Sequence, residues 1–332
     1  MDIETLDIKQ LDAFAAVMST GSITNAARLL GRSQSTMSRA IQDLETNLGF
    51  PLLYRNGPRI FPTDQGVQFH AEVERFLMGL NHIKERAEAI ALSEVSPIDI
   101  AAIPAICASL VPQALVRMTD GDVVPRKIQI HSMLAESVVQ AVSSRNSDFG
   151  VSSLPIDNPG VDIQWIGEAA CVAALPANAP LAKRKKVRLL DLQHHHLIAT
   201  ANPFRLRPRI NAAFRAAGLS ADSMIDTNAS VTALAAVRAG LGVAVIDPVS
   251  AWGLPIEGVV IRPLDIDIPF YFGAISSGGR PLSPLLARLS DALRETAAAM
   301  LPDFMEHPLS RLEEIMRRQF DPDACSGTNV TL

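Results

Sequence analysis

The chain has 332 residues, of which 48% are hydrophobic and 20% are charged, and its formal net charge is −5. This length accommodates two or more domains with a sizeable core, and the composition is that of a globular protein rather than a disordered or fibrous one. The sequence has no apolar run long enough to span a bilayer, so we expect no membrane partner.

The start of the chain and its cysteines indicate the cellular compartment. Acidic residues stand at positions 2, 4 and 7, where an export signal would carry basic residues, so we expect no signal peptide. The three cysteines, Cys107, Cys171 and Cys325, are far apart and lack metal-ligand spacing. These features predict a cytoplasmic protein with reduced thiols and with neither a metal nor another cofactor.

Residues 11–61 contain three short helical patterns in succession. Their apolar faces recur at helical spacing: Leu11, Phe14, Ala15 and Met18, then Ile23, Ala26, Ala27 and Leu30, then Met37, Ala40, Ile41, Leu44 and Leu48. Ser22 and Ser33 precede the second and third helices as N-caps, and Gly49 follows the third where a left-handed residue is needed. The segment is therefore predicted to be a helix-turn-helix.

The outward face of the third helix carries groups that hydrogen-bond base edges and phosphates. After it, a hairpin with a turn at Asn56 and Gly57 is predicted to form a basic wing. Five arginines oppose two carboxylates between residues 20 and 62, so this segment is locally positive by 3. The predicted DNA contacts are Arg28, Arg32, Ser33, Gln34, Ser35, Ser38, Arg39, Gln42, Arg55 and Arg59. The alternative is an ordinary three-helix bundle with polar residues outside.

The same segment resembles the winged helix-turn-helix of LysR-type transcriptional regulators over about fifty ordered positions. The matching positions are Phe14, Gly21, Ser22, Thr24, Ala26, Ala27, Leu30, Ser33, Gln34, Ser38, Ile41, Leu44, Glu45, Leu48, Gly49, Pro51, Leu52 and Arg55. Many family members have proline where this chain has Ser35, so the base preference of the family is not carried over.

A long helix is predicted from Thr63, its N-cap, to about residue 93. Its apolar positions alternate spacings of four and three, the pattern by which two helices pair: Phe69, Val73, Phe76, Leu80, Ile83, Ala87 and Ile90. We interpret this seam as a dimerisation helix, since a two-fold symmetric DNA reader needs a fixed half-site spacing of about one helical turn. It matches the linker helix of the LysR family. The alternative is an amphipathic helix lying on its own domain.

From residue 97 the pattern changes to alternating strands and helices, which predicts parallel sheets covered by helices. The predicted strands are 98–103, 127–131, 148–152, 171–175, 196–200, 224–227, 242–246 and 270–275, and the helices are 111–117, 136–143, 209–217, 231–239 and 282–298. Two crossings, near residues 165–168 and 268–271, divide this part into two hinged lobes. The resemblance implies the two-lobed architecture of type-II periplasmic binding proteins, with an inducer in the cleft.

Parallel sheets bind ligands beyond the carboxyl ends of their strands. Applied here, this rule selects the effector-binding candidates Pro104, Ala105, Ser132, Ser153, Thr200, Asn202, Asn228 and Asp247. The hydroxyl and amide groups suit a carboxylate, and Asp247 suits an amino group. Each of these residues has an alternative role as a helix cap or turn residue.

Within the family, the chain looks most similar to the branch that regulates lysine biosynthesis and opine catabolism. The residues that carry this similarity are 100–104, 171–176, 224–248 and the pair Pro269 and Phe270. The resemblance implies an amino acid or amino-acid derivative as effector, such as a diamino acid or an opine. Small-molecule specificity changes with few side chains, so this step concerns chemical class alone.

Four further features are open to more than one interpretation. His194, His195 and His196 precede a strand, where alternate side chains diverge, so we do not expect a metal. The basic run 183–186 is interpreted as a solvated turn, with a DNA contact as the alternative. Arginines at 205, 207 and 209 open a helix against its dipole, which suggests an acidic effector or a subunit interface. The segment after 303 either caps an oligomer or is flexible.

The predicted fold class is therefore α/β with an all-α N-terminal winged helix-turn-helix. We expect a DNA-binding domain at 1–62, a linker helix at 63–93, an effector domain at 96–302 and a tail at 303–332; the first lobe covers about 96–166 and 270–302, and the second 167–269. The predicted function is a non-enzymatic transcriptional regulator that binds a pseudo-palindromic promoter site, a co-inducer and itself as a homodimer or homotetramer, with RNA polymerase as a further candidate partner. The alternative is a solute-binding protein without DNA function.

Overall fold

A computed structural model describes residues 6–56, 59–91, 97–119, 125, 127–154, 156, 158–200, 206–220 and 222–315. The chain divides into two compact units, residues 1–92 and residues 93–332. None of the helices in these ranges combines the length and apolar composition needed to cross a bilayer.

The first unit begins with three helices whose caps are those expected. The helices are α1 (Ile8–Thr20), α2 (Ile23–Leu29) and α3 (Gln34–Leu48). Ser22 accepts a hydrogen bond from the amide of Asn25, and Ser33 accepts one from the amide of Thr36. Gly49 ends α3 with φ at 78°, the left-handed conformation that glycine adopts without strain. The predicted helix-turn-helix is confirmed.

The core of the first unit is formed by the apolar faces of these helices. Phe14, Met37 and Leu44 are completely buried, and Ile41 is 1% exposed. Burying such side chains contributes about 1.5–3 kcal/mol each relative to leaving them in water. The buried row of α3 thereby determines that its opposite, polar row faces solvent.

The wing is a two-stranded antiparallel hairpin of β1 (Leu53–Asn56) and β2 (Arg59–Pro62). Asn56 pairs directly with Arg59, so Asn56 is the last residue of β1. The prediction placed Asn56 in the turn and is wrong for this one residue. Gly57 lies outside the described residues.

The fourth helix, α4 (Asp64–Ala91), is capped as expected by Thr63, whose hydroxyl accepts from the amide of Gly66 at 2.8 Å. The same hydroxyl donates to the carbonyl of Pro51 at 2.8 Å. A Cβ at Gly66 would lie 2.1 Å from the carbonyl oxygen of Leu52, so this close approach requires glycine. The start of α4 is therefore tied to the segment that precedes the wing.

The predicted seam along α4 needs a correction at its beginning. Val73 is 1% exposed and belongs to the core of its own unit, and the partly buried Phe69 packs against that core with its ring 5.8 Å from the Phe14 ring. A heptad spacing does not distinguish a partner helix from the helix's own domain. Further along, Phe76 is 48% exposed and Ile83 is 66% exposed, Ala87 is exposed, and Leu80 is partly buried. The side chain of Ile90 is outside the described set.

The second unit contains two sheets, and the first is the centre of the first lobe. Its strands are β3 (Ile98–Ala102), β4 (Ile128–Ser132), β5 (Phe149–Ser153), β6 (Val161–Ala170), β12 (Pro269–Ser277) and β13 (Met305–His307). Their order across the sheet is β13-β6-β12-β5-β3-β4. The strand β3 is parallel to β4 and β5, whereas β12 is antiparallel to β5 and β6. The helices of this lobe are α5 (Pro104–Ala108), α6 (Leu110–Thr119), α7 (Ala135–Ser143) and α11 (Pro284–Met300).

The second lobe has a five-stranded sheet. Its strands are β7 (Val172–Pro176), β8 (Leu197–Thr200), β9 (Ser223–Thr227), β10 (Val243–Ile246) and β11 (Val259–Pro263). Their order is β11-β7-β10-β8-β9, with β8 parallel to both β9 and β10. The helices are α8 (Leu206–Ala216), α9 (Ser230–Arg238) and α10 (Pro248–Gly253).

The two lobes are joined by adjacent chain crossings. The amide of Cys171 donates to the carbonyl of Ile268 at 2.9 Å, so the two crossings lie side by side. The second crossing meets the expectation at 268–271 only at Ile268, because Pro269 begins β12 and Tyr271 already pairs with Glu168. The first lies later than predicted, because Trp165 and Glu168 belong to the ten-residue strand β6, which is longer than the average strand.

The segment after residue 303 is part of the first lobe as far as residue 315. The strand β13 pairs with β6, and Nε2 of His307 lies 2.5 Å from a carboxylate oxygen of Glu168. Ile315 is 1% exposed in the core beside α7. Within the described residues this segment therefore packs on its own lobe as far as residue 315, and an oligomer cap stays a prediction.

Replacing Ile315 with alanine should destabilise the second unit by about 2–5 kcal/mol, because it removes buried methyl and methylene groups and leaves a cavity. Leu309 is 49% exposed in the same segment, so Leu309→Ala should change stability far less. Urea unfolding of the two variants provides the measurement. Equal, small effects from both substitutions would show that the segment is not docked on the lobe.

Candidate nucleic-acid interface and effector cleft

The polar row of α3 is presented to solvent as a continuous surface. Gln34, Ser35, Arg39 and Gln42 are exposed, and Ser38 is partly exposed. Arg28 is exposed on α2. Amide, hydroxyl and guanidinium groups in one row fit the donor and acceptor pattern of the major groove. The backbone places Arg55 and Arg59 on the two strands of the wing, and the described part of the structure does not include their side chains.

Several of the predicted contacts, among them Arg32, Ser33 and Ser35, also have structural partners. The guanidinium of Arg32 donates to the carbonyl of Lys9 at 3.2 Å and lies 3.6 Å from a carboxylate oxygen of Asp12. Ser33 is the N-cap of α3, and its hydroxyl also lies 2.9 Å from the Ser35 hydroxyl. The partners of Arg32, Lys9 and Asp12, are on α1 and lie 20 or more positions away in the sequence. No local sequence pattern indicates such partners.

An open groove between the start of α1 and α3 brings several of these groups together. It has a volume of about 700 Å³, and Arg32, Ser35 and Arg39 line it with Lys9 and Asp43. The three predicted residues therefore share one surface of the first unit.

Sequence reasoning missed the residue that connects α3 to the wing. A carboxylate oxygen of Glu45 accepts hydrogen bonds from the amides of Leu52 at 2.7 Å and Leu53 at 3.1 Å. Hydrogen bonds to a charged acceptor are stronger than neutral ones. Glu45 therefore fixes the first strand of the wing relative to the recognition helix. The motif match includes Glu45 but does not reveal its partners.

In the second unit, the carboxyl ends of the parallel strands approach the hinge from both lobes. Ser153 at the end of β5 pairs with Phe272, three residues after the start of β12. Ile246 at the end of β10 pairs with Val172, which follows the first crossing. The candidates Pro104, Ala105, Ser132 and Ser153 lie at the strand ends of the first lobe; Thr200, Asn228 and Asp247 lie at those of the second. Asn202 is outside the described residues.

These candidates differ in their accessibility. Ala105 and Ser153 are 7% and 6% exposed, whereas Ser132 and Asn228 are exposed. The hydroxyl oxygen of Thr200 is buried and has no hydrogen-bond partner among the described residues. A buried, unsatisfied hydroxyl is costly, so Thr200 is a position where a further hydrogen-bond partner would be favourable.

Asp247 is a helix cap, the alternative role that was open to each effector candidate. It caps α10: one carboxylate oxygen accepts from the Ser250 amide at 2.7 Å and the other from the Ser250 hydroxyl at 3.0 Å. Burial raises the pKa of the Asp247 carboxyl, and hydrogen bonds from Ser230 and Ser250 oppose this shift. Both oxygens of Asp247 therefore take part in the cap, and its contact with an amino group of an effector stays a prediction.

Arg207 and Arg209 at the start of α8 have contacts within the unit, and Arg205 lies outside the described residues. Arg207 pairs with Asp226 at 3.0 Å. The guanidinium of Arg209 donates to the Pro269 carbonyl at 2.9 Å and lies 4.7 Å from the centre of the Tyr271 ring. A cation over an aromatic face is a favourable contact. Arg209 thus connects the second lobe to the second crossing, a role that requires knowledge of the tertiary structure.

A cavity of about 910 Å³ lies at the waist of the second unit and was not predicted. Both crossings line it, together with α8, α10 and residues after α11; the carboxylates on its wall are Glu168, Asp265, Asp267 and Asp303. Burial, followed by the charges of Glu168 and Asp303, raises the pKa of Asp267. None of the seven effector candidates that the structure describes lines this cavity.

The three consecutive histidines are exposed at the edge of a shallow cavity of about 380 Å³. Across the described ranges, no group of three or more His, Cys, Asp or Glu side chains is arranged to hold a metal ion.

A winged helix-turn-helix and a hinged, two-lobed domain in one chain define a ligand-responsive DNA-binding transcriptional regulator. Residues 8–67 match the family model for the bacterial regulatory helix-turn-helix protein, lysR family, and residues 93–298 match the model for the LysR substrate binding domain. The chain belongs to the LysR family of transcriptional regulators. The match of residues 8–67 disfavours a solute-binding protein without DNA function.

Several known regulators are similar along most of their length. The regulatory protein NocR of Agrobacterium fabrum is 29% identical over 290 residues, covering 86% of this chain and 96% of NocR. The transcriptional activator protein LysR of Escherichia coli is 29% identical over 295 residues, covering 87% and 93%. The octopine catabolism/uptake operon regulatory protein OccR of Rhizobium meliloti is 29% identical over 287 residues, covering 86% and 94%.

The fold is also that of solved members of the family. The crystal structure of the LysR family transcriptional regulator CbnR matches with a TM-score of 0.74 at 21% identity, covering 88% of this chain and 99% of that chain. Full-length CbnR in complex with its target DNA matches with a TM-score of 0.72 at 22% identity, covering 88% and 100%.

Glu45→Ala should destabilise the first unit by about 1–3 kcal/mol, because two partly buried amides lose a charged acceptor. Asp43 lies on the same helix and is exposed, so Asp43→Ala should stay within about 0.5 kcal/mol of the parent. Denaturant unfolding compares the two. If both variants unfold like the parent, Glu45 does not hold the wing.

Proposed function

We propose that the chain binds promoter DNA as a symmetric oligomer through the polar row of α3 and the wing, and that an amino-acid-type effector in the cleft between the lobes changes its output. The family assignment establishes a DNA-binding regulator with an effector domain. The proposal adds the residues, the class of effector and the assembly.

The observation that carries the DNA-binding part is the separation of α3 into two faces. Met37, Ile41 and Leu44 hold one face in the core, and the exposed face presents Gln34, Arg39 and their neighbours. The neighbouring DNA contacts are those named from the sequence: Arg28, Arg32, Ser33, Ser35, Ser38, Gln42, Arg55 and Arg59. Arginine forms paired hydrogen bonds with guanine, and serine and glutamine bind bases or phosphates.

The observation that supports self-association is the exposed apolar side of α4. Phe76 and Ile83 are large apolar side chains that are about half or more exposed in the single chain, and with Leu80 and Ala87 they continue the heptad spacing. A homodimer on this seam, itself assembling into a homotetramer, would supply the two-fold symmetry that a pseudo-palindromic site requires. Such a regulator acts in the cytoplasm, with RNA polymerase as a further partner.

The effector class follows from the relatives and from the groups at the strand ends. OccR is named as a regulator of an octopine operon, and the hydroxyls of Ser132, Ser153 and Thr200 with the amide of Asn228 suit a carboxylate. We therefore propose an amino acid or amino-acid derivative, such as a diamino acid or an opine. Such a ligand changes the equilibrium between two arrangements of the lobes by as much as its affinity for them differs.

Arg39→Ala should weaken binding to the DNA upstream of the protein's own coding sequence by about tenfold or more, since one paired contact contributes about 1–3 kcal/mol. Arg75→Ala removes the same charge from α4, away from the polar row, and serves as the control. Gel-shift titrations measure both affinities. The proposal for α3 fails if the parent binds this duplex and the two variants bind it equally well.

A panel of amino acids, diamino acids and opines should contain one or a few compounds that raise the melting temperature of the second unit, because a ligand at a hundred times its Kd stabilises by about 2.7 kcal/mol. Asn228→Ala should remove this shift. Asn178→Ala is the matched control, since Asn178 is exposed in the same lobe near the opposite end of the sheet.

A panel without any shift would contradict the proposed effector class. A shift that survives Asn228→Ala would contradict the position of Asn228 in the site while leaving the class intact.

A further inference from the structure

The second lobe carries a dense basic segment that the proposed function does not use. Residues 183–188 contain five cations in six positions: Lys183, Arg184, Lys185, Lys186 and Arg188. All five side chains are exposed. The chain as a whole has a net charge of −5, whereas this segment is strongly positive.

The fold holds this segment, hereafter the basic loop, in one shape. Val187 is completely buried in its middle, and its amide donates to the Pro263 carbonyl at 2.9 Å. The carbonyl of Ala182, just before the loop, accepts from the guanidinium of Arg262 at 2.7 Å and 3.1 Å. The cations are therefore displayed by a fixed backbone rather than by a loose turn.

Local carboxylates neutralise only part of this charge. Asp191 pairs with Arg184 at 2.5 Å and with Arg188 at 2.8 Å, which also orients these two arginines. Lys183, Lys185 and Lys186 have no salt bridge within the described ranges of the chain. Lys186 also lines the cavity whose wall carries Asp265 and Asp267, so Lys183 and Lys185 are the more freely presented of the three. Three neighbouring ammonium groups repel one another, and a fixed array of this kind favours a polyanion that neutralises them.

The chemistry of the loop fits phosphates better than it fits a protein surface. Lysine is depleted in the cores of protein interfaces, where aromatic side chains are enriched. The loop has no aromatic residue, and Leu190, which is 46% exposed, is the large apolar side chain next to it. Ammonium groups on flexible stems suit the phosphates of a nucleic-acid backbone.

The DNA-reading unit is itself poor in cationic charge. Residues 1–92 contain nine Lys and Arg against eleven Asp and Glu. Within this unit residues 20–62 are positive by 3, and phosphate contacts from another part of the chain would add to the affinity that this modest charge supplies. The basic loop is a concentrated source of such contacts.

We infer that the basic loop of the second lobe is a second, sequence-independent contact to the phosphate backbone of the bound DNA. This inference rests on the proposed DNA-binding function. In this role Lys183, Lys185 and Lys186 bind phosphates, while Arg184 and Arg188 are held by Asp191 and maintain the shape of the loop.

The test compares the salt dependence of DNA binding by full-length variants. One variant carries Lys183→Gln, Lys185→Gln and Lys186→Gln. The control carries Arg117→Gln, Arg215→Gln and Arg280→Gln, three exposed arginines of the same unit, so both variants lose the same charge. The probes are the duplex upstream of the protein's own coding sequence and an arbitrary duplex of equal length, each titrated between low and moderate salt.

Each lost phosphate contact lowers the slope of log affinity against log salt by about 0.9. The loop variant should therefore show a slope smaller by about 2–3 for each subunit whose loop touches DNA, on both duplexes, and the control should keep the parental slope. Equal slopes for parent and loop variant, or equal losses in loop variant and control, would overturn the inference. If the parent binds neither duplex, the proposed function itself fails, which is a separate result.

Discussion

The burial of one row of α3 is the constraint on which the DNA-binding unit depends. Met37, Ile41 and Leu44 have no freedom to turn outward without exposing apolar surface, so the polar row opposite them has a single direction. Glu45 extends this constraint to the wing through the amides of Leu52 and Leu53. The recognition helix and the wing are thereby presented as one rigid surface, as a reader of duplex DNA requires.

The second unit is organised around two adjacent crossings. The hydrogen bond from Cys171 to Ile268 holds the crossings together, and Arg209 reaches across to Pro269 and Tyr271. The strand β6 lies between β12 and β13 in its sheet. His307 of β13 contacts Glu168 of β6, two residues before β6 ends. Helices of the two lobes are also in contact, since α5 of the first lobe packs against α9 and α10 of the second, and α11 packs against α10.

Local chemistry was predictable from the sequence, and long-range packing was not. Serine caps, the glycine at the end of α3 and the helical periodicities depend on residues a few positions apart, and the structure agrees with them. The predicted place of Val73 in the dimer seam was wrong, because the same spacing serves a partner helix or the helix's own domain. The capping role of Asp247, the contacts of Arg209 and the docking of β13 depend on positions far apart in the chain, which one sequence does not reveal.

The central claim is that two copies of the polar row of α3 read duplex DNA in a symmetric pair. Hydroxyl-radical footprinting on the region upstream of the coding sequence measures this most directly. The account predicts two protected stretches on the same face of the duplex with centres separated by about one helical turn or a multiple of it. A single protected stretch, bound by one subunit, would contradict it.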